Sequence, residues 1–192
     1  RIFEGTNEIN RMLIPGTLAR KAAKGELPLM QKVMQLQQEL TAPIPEAPEG
    51  VLGQEQQLLE NAKKIFLMLS GLATQKFGNK VEQEQELLAV AADIAIQIFA
   101  GESALLRTQK AISRNGEAGE QLKIQYTRLF IQEAFDKIET WAKNGLAAME
   151  EGDVLKTQLA ILKKLTKREP VNTLALKRAI AERIVAAEKY VV

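Results

Sequence analysis

Three long stretches of this chain place apolar residues three and four apart, and each stretch stops at a paired Asn and Gly. The first runs from Gln54 to Phe77 and aligns Leu58, Leu59, Ala62, Ile65, Phe66, Leu69, Leu72 and Ala73 before Gly78-Asn79. The second runs from Glu82 to Arg114 and aligns Leu87, Leu88, Ala91, Ile94, Ala95 and Ile98 before Asn115-Gly116. The third runs from Glu117 to Lys143 and aligns Leu122, Leu129, Phe130, Ala134, Ile138 and Trp141 before Asn144-Gly145. Such spacing produces an apolar stripe along one side of a helix, and the stripe has to be covered. Gly and Asn accept the left-handed conformation that closes a helix, so each pair reads as a stop. Long helices joined by short loops lie antiparallel. No stretch alternates polar and apolar residues, and there is no internal repeat. The expected fold is all-α, an up-and-down helical bundle.

Shorter elements flank these three. Asp153 to Leu165 carries Leu155, Leu159 and Leu162, and Thr173 to Tyr190 carries Leu176, Ala179, Ile180, Ile184 and Val185. Upstream, Leu29 to Leu40 reads as an amphipathic helix with Met30, Val33, Met34 and Leu36 clustered. Between it and the long helices lies Thr41-Ala-Pro-Ile-Pro-Glu-Ala-Pro-Glu-Gly50, whose prolines forbid helix and favour an extended linker. At the start, Ile9, Leu13 and Ile14 follow Thr6 at helical spacing, and Pro15-Gly16 is expected to break or kink that helix. A further helical stretch is expected from Leu18 to Lys24, stopped by Gly25. The expected division is residues 1–25, then a short helix and linker over 26–50, then a helical domain over 51–192.

Composition narrows the chemistry. The 192 residues are 46% hydrophobic, enough for a substantial core. Cysteine and histidine are both absent, which excludes disulfides, thiolate metal sites and cysteine nucleophiles, and leaves acid–base work to carboxylates, Lys or Tyr. A net charge of +2 gives no reason to expect a nucleic-acid partner. No apolar run looks long enough for a bilayer, and the polar residues near the start do not resemble a signal peptide. Arg1 reads as a cut within a longer protein.

The densest cluster of chemical signals is Arg1-Ile-Phe-Glu-Gly-Thr-Asn-Glu-Ile-Asn-Arg11. Glu4 stands beside Gly5, where a ligand could approach bare backbone. Thr6 can cap the helix that follows, and its first amides could receive a polar or anionic group. A carboxylate, a glycine and a helix start within five residues could form a site. The same residues could equally be an ordinary capped loop.

Phe3, Glu4, Gly5, Thr6, Glu8, Ile9, Asn10 and Arg11 together closely resemble the C-terminal signature of acyl-CoA dehydrogenases. The resemblance implies that Glu4 is the base that removes the proton alpha to the thioester while the beta carbon passes a hydride to flavin, giving the trans-2-enoyl-CoA. It implies that Gly5 contacts substrate, that Thr6, Asn7 and Glu8 contact FAD, and that the site is shared across a homodimer. It further implies an acyl-CoA substrate, electron-transfer flavoprotein as acceptor, and a place in fatty-acid beta-oxidation. The first 25 residues would close the dehydrogenase helical domain. The rest resembles, in length and helical character, the extra helical domain of the long- and very-long-chain branch. Domains upstream would supply most of the flavin pocket, so this piece alone is expected to be inactive and flavin-free. The alternative is a non-catalytic helical module for dimerisation, partner docking or membrane docking. The acidic residues Glu26, Glu39, Glu46, Glu49 and Glu55 in the segment that would meet a membrane argue against an anionic lipid surface. The expected location is cytoplasmic if bacterial and mitochondrial otherwise.

Other clusters have simpler readings. Lys163-Lys164 with Lys167-Arg168 suits a helix C-terminus, where cations meet the negative end of the dipole. Phe130, Phe135 and Trp141 are expected in the core, Met30 and Met34 in packing, and Glu82, Glu84 and Glu86 at an exposed helix start.

Overall fold

The computed structural model describes residues 5–41 and 45–191, apart from the side chains of Met30, Gln37 and Thr41. Among the described residues there is no strand, and seven α-helices follow in order: α1 (Asn7–Ala23), α2 (Leu29–Thr41), α3 (Gly53–Phe77), α4 (Gln85–Gly119), α5 (Gln121–Met149), α6 (Gly152–Thr166) and α7 (Thr173–Ala187). A 3-10 segment, Gly78–Gln83, joins α3 to α4.

Helices α3, α4 and α5 pack against one another as the centre of the bundle. Their buried residues include Leu58, Leu59, Ala62, Ile65 and Leu69 from α3, Ile94 and Leu105 from α4, and Ile131, Phe135, Ile138 and Leu146 from α5. Each large side chain withdrawn from water stabilises the fold by about 1.5–3 kcal/mol. Leu162 and Leu165 bring α6 onto this core, and Leu36 brings α2.

Polar groups tie the same helices. Glu55, almost wholly buried, accepts hydrogen bonds from Arg128 Nε (3.2 Å) and Gln132 Nε2 (3.4 Å). Arg128 also donates to the Val51 carbonyl, which fixes the approach to α3. Asn61 Nδ2 donates to the Leu165 carbonyl at 2.9 Å, and the Thr108 and Thr127 hydroxyls meet at 2.7 Å. The linker ends tightly: a Cβ on Gly53 would stand 1.7 Å from the Pro48 carbonyl oxygen. Only glycine fits there.

Several expectations need correction. Helix α1 does not end at Pro15-Gly16 but runs through both to Ala23. Pro15 removes one amide, yet α1 packs against α4, and such packing outweighs the local loss. Helix α5 does not stop at Asn144-Gly145 but continues to Met149. Gly145 is buried there, with its missing Cβ directed at Leu69 Cδ2 (3.4 Å) and Val90 Cγ1 (3.7 Å), so this glycine serves close helix approach. The other two stops hold in substance: Gly78 caps α3 at φ 53°, and Gly116 bends the end of α4 at φ 75°, ψ 161°.

Three apolar side chains expected to pack, Met34, Phe130 and Val185, are instead exposed, and on α4 Ile96, Phe99 and Leu106 are exposed as well. Phe99 is 76% exposed. Of the expected α4 stripe only Ile94 is fully buried. Helix α4 is also long and apolar enough, by length and composition, to cross a membrane, contrary to the expectation that no segment was. Its apolar residues spread around more than one side, and the bundle covers only part of them.

The basic cluster is more specific than a helix-end charge. Lys163 and Lys164 do lie in the last turn of α6. Arg168, beyond it, pairs with Asp136 and with Glu139 (3.1 Å) on α5 and lies 5.0 Å above the Phe135 ring. Burial works to raise the Glu139 carboxyl, but hydrogen bonds from Lys143 and Arg168 outweigh it and hold the group below its ordinary value. Arg168 thus fastens the α6–α7 connection to α5.

Enlarging Gly145 tests the close-approach reading. Gly145→Leu is expected to destabilise the bundle by about 1–3 kcal/mol through overpacking against Leu69 and Val90, measured by chemical denaturation.

Candidate functional site

The motif enters the described structure at Gly5 and leads directly into α1. Gly5 adopts φ +114°, a conformation that side chains rarely take, and a Cβ there would lie 3.1 Å from Asn10 Oδ1. The positive φ favours glycine. Thr6 is the N-cap of α1, its hydroxyl accepting from the Ile9 amide at 3.3 Å, and the Asn10 amide donates to the Thr6 carbonyl at 3.0 Å. Glu8 sits in the first turn, where a negative charge suits the helix dipole. The structure therefore keeps Gly5, Thr6, Asn7 and Glu8 together at one helix end. Asn7 and Glu8 are exposed there. Glu4 lies outside the described residues.

Arg11 supplies what local structure does not. One helical turn beyond Asn7, it crosses to α4, where Nη2 donates to the Asp93 carboxylate and lies 3.4 Å from the Ala89 carbonyl. Asp93 lies between Ala92 and Ile94, both fully buried. Asp93 itself is only partly exposed, and Arg11 partly replaces the water it loses. The sequence carried a signal for this contact, namely a lone acid within the apolar run Leu87–Ala100. Its partner could not be read from spacing, since 82 residues separate the two.

No group of His, Cys, Asp or Glu suited to hold a metal occurs among the described residues. A cleft of about 790 Å³ lies elsewhere, between α5, α6 and the α6–α7 connection, and shares no residue with the motif. Its cations are already committed in part, Arg168 to Asp136 and Lys164 to the Leu40 carbonyl at 2.7 Å. We therefore place the candidate site at the start of α1. Exposed hydrogen-bonding side chains around open helix amides can meet the edge of a polar, anionic cofactor; they do not enclose one.

The pattern described as "Acyl-CoA dehydrogenase, C-terminal domain" matches residues 61–164, which run from α3 through most of α6. The chain belongs to the acyl-CoA dehydrogenase family, as a C-terminal portion. It is 51% identical over its whole length to a protein of Bacillus subtilis (strain 168) named "Probable acyl-CoA dehydrogenase". It also resembles the crystal structure of an acyl-CoA dehydrogenase complexed with FAD from Bacillus anthracis, at 50% identity and a TM-score of 0.97 over the full chain. The chain spans 32% of the length of each of these relatives.

Removing the cap tests the local geometry. Thr6→Ala is expected to cost about 1 kcal/mol of helix-end stability, seen as faster amide exchange at Ile9 with little change deeper in α3 or α5.

Proposed function

We propose that the parent of this chain is an FAD-dependent dehydrogenase that oxidises a long-chain acyl-CoA to the trans-2-enoyl-CoA, with Glu4 as the base. The observation that carries this reading is the unbroken run from the Phe3-Glu4-Gly5-Thr6 motif into a capped helix start, in a chain of this family. FAD, when bound, accepts the hydride. Glu4 takes the alpha proton, and exclusion of water by bound substrate strengthens a carboxylate for that purpose by raising its pKa. Gly5 leaves its backbone bare for the thioester. Thr6, Asn7 and Glu8 present hydrogen-bonding groups and open amides to the cofactor edge.

The relatives' FAD complex and family name support the cofactor and the reaction class. The helices from α2 onward support the long-chain branch by their extent. On the same reading the parent is a cytoplasmic homodimer, passes electrons to an electron-transfer flavoprotein, and serves fatty-acid beta-oxidation. The isolated chain is expected to be inactive. The reading is tested in the full-length parent by Glu4→Gln. We expect enoyl-CoA formation to fall by at least about 10²–10⁴-fold with flavin still bound. An active Glu4→Gln enzyme would remove the base assignment.

A second reading concerns the helical domain itself. The uncovered line of Ile96, Phe99 and Leu106 on α4 favours a surface that meets another part of the assembly. In the full-length parent, Phe99→Glu is expected to lower the solution mass or weaken domain association, measured by sedimentation. Unchanged mass with full activity would show that this line is simply solvated.

A further inference from the structure

We propose that the Arg11–Asp93 ion pair is the positioning contact that holds the motif in place for proton abstraction. This inference rests on the role given above to Glu4.

Helix α1 has no fully buried residue, so a buried apolar core does not fix where its first turn stands. The specific tie is Arg11, reaching across 82 residues of sequence to Asp93 and the Ala89 carbonyl on α4. Ala89 and Asp93 are four residues apart and so share one side of α4. The two charged side chains are 32% and 25% exposed, so the pair is partly withdrawn from water. Nε of Arg11 is buried without a hydrogen-bond partner, so the guanidinium depends on its Nη2 contacts.

The path from the pair to the motif is short. Asn10, the neighbour of Arg11, fills the space beside Gly5, and the Thr6 hydroxyl and carbonyl are tied to Ile9 and Asn10. Gly5 and Thr6 therefore move with the turn that Arg11 anchors. Glu4 is bonded directly to Gly5. Asp93 acts through Arg11, and the bundle thereby holds the turn that begins at Gly5 and Thr6.

The test uses the full-length, flavin-loaded parent. Asp93→Asn removes the charge but keeps the shape. A shift of about 1 Å at a reacting group can cost about 10²-fold, so we expect kcat to fall roughly ten-fold or more. The KM for acyl-CoA should stay within about three-fold, because binding by the rest of the pocket is untouched. Flavin content should be retained. The charge swap Arg11→Asp with Asp93→Arg should recover a large part of kcat, which ties the loss to the pair, while the unchanged KM and flavin content separate positioning from a general structural defect. Should Asp93→Asn fail to fold, Asp93→Glu keeps the charge and lengthens the arm, and the same kcat loss is expected of it with an unchanged melting temperature. A kcat within about two-fold of the parent, or a loss that the swap does not recover, overturns the proposal. If Glu4→Gln is inactive while Asp93→Asn is fully active, only the positioning role fails. If Glu4→Gln is active, the base assignment fails first.

Discussion

The bundle depends on three helices meeting where two glycines make room. At Gly101 of α4, a Cβ would stand 2.8 Å from Leu59 Cδ2 and 3.5 Å from Ile131 Cγ1, so α3 and α5 both press on bare backbone. At Gly145 of α5, Leu69, Val90 and Leu87 crowd the same kind of gap. Leu59 and Leu69 are ten residues apart on α3, or about 15 Å along its axis, so two separated contacts fix both spacing and tilt. A single point would leave the helices free to pivot. The other elements are attached to this frame: α2 through Leu36, α6 through Leu162 and Leu165, and α1 through Arg11.

Much of this was legible in the sequence, and the gaps have physical causes. Helical periodicity identified each helix to within a few residues at most ends, because an apolar stripe reports which side is buried. Glycine misled where its two uses look alike. At Gly78 and Gly116 the residue takes positive φ and turns the chain, whereas at Gly145 it stays helical and admits Leu69. A preceding Asn strengthens the first reading but cannot exclude the second, since only the neighbouring helix distinguishes them. Pro15 misled for a related reason. Losing one amide weakens a helix locally, and packing along α4 outweighs it. Periodicity also overstated burial on α4, where apolar residues occupy more of the circumference than its neighbours α1, α3 and α5 cover.

The candidate site was legible in its parts and opaque in its support. Thr6 as cap follows from local chemistry and holds in three dimensions, whereas the positive φ of Gly5 is visible only in the structure. The partner of Arg11 does not follow from local chemistry, because the chain must fold through two further helices before Asp93 arrives. Lys163 and Lys164 behave as their position implies, while Arg168 gains its meaning only from Asp136, Glu139 and Phe135 on another helix.

The seat of Gly53 under the Pro48 carbonyl has a consequence for how such a chain can vary. The linker has no slack at its downstream end: Gly50 closes a turn onto Gly53, and Arg128 grips the Val51 carbonyl. Any insertion or deletion must therefore be absorbed before Pro48. Related chains should differ in length on that side while keeping the last few residues in register with α3. The tether is bolted at its downstream end.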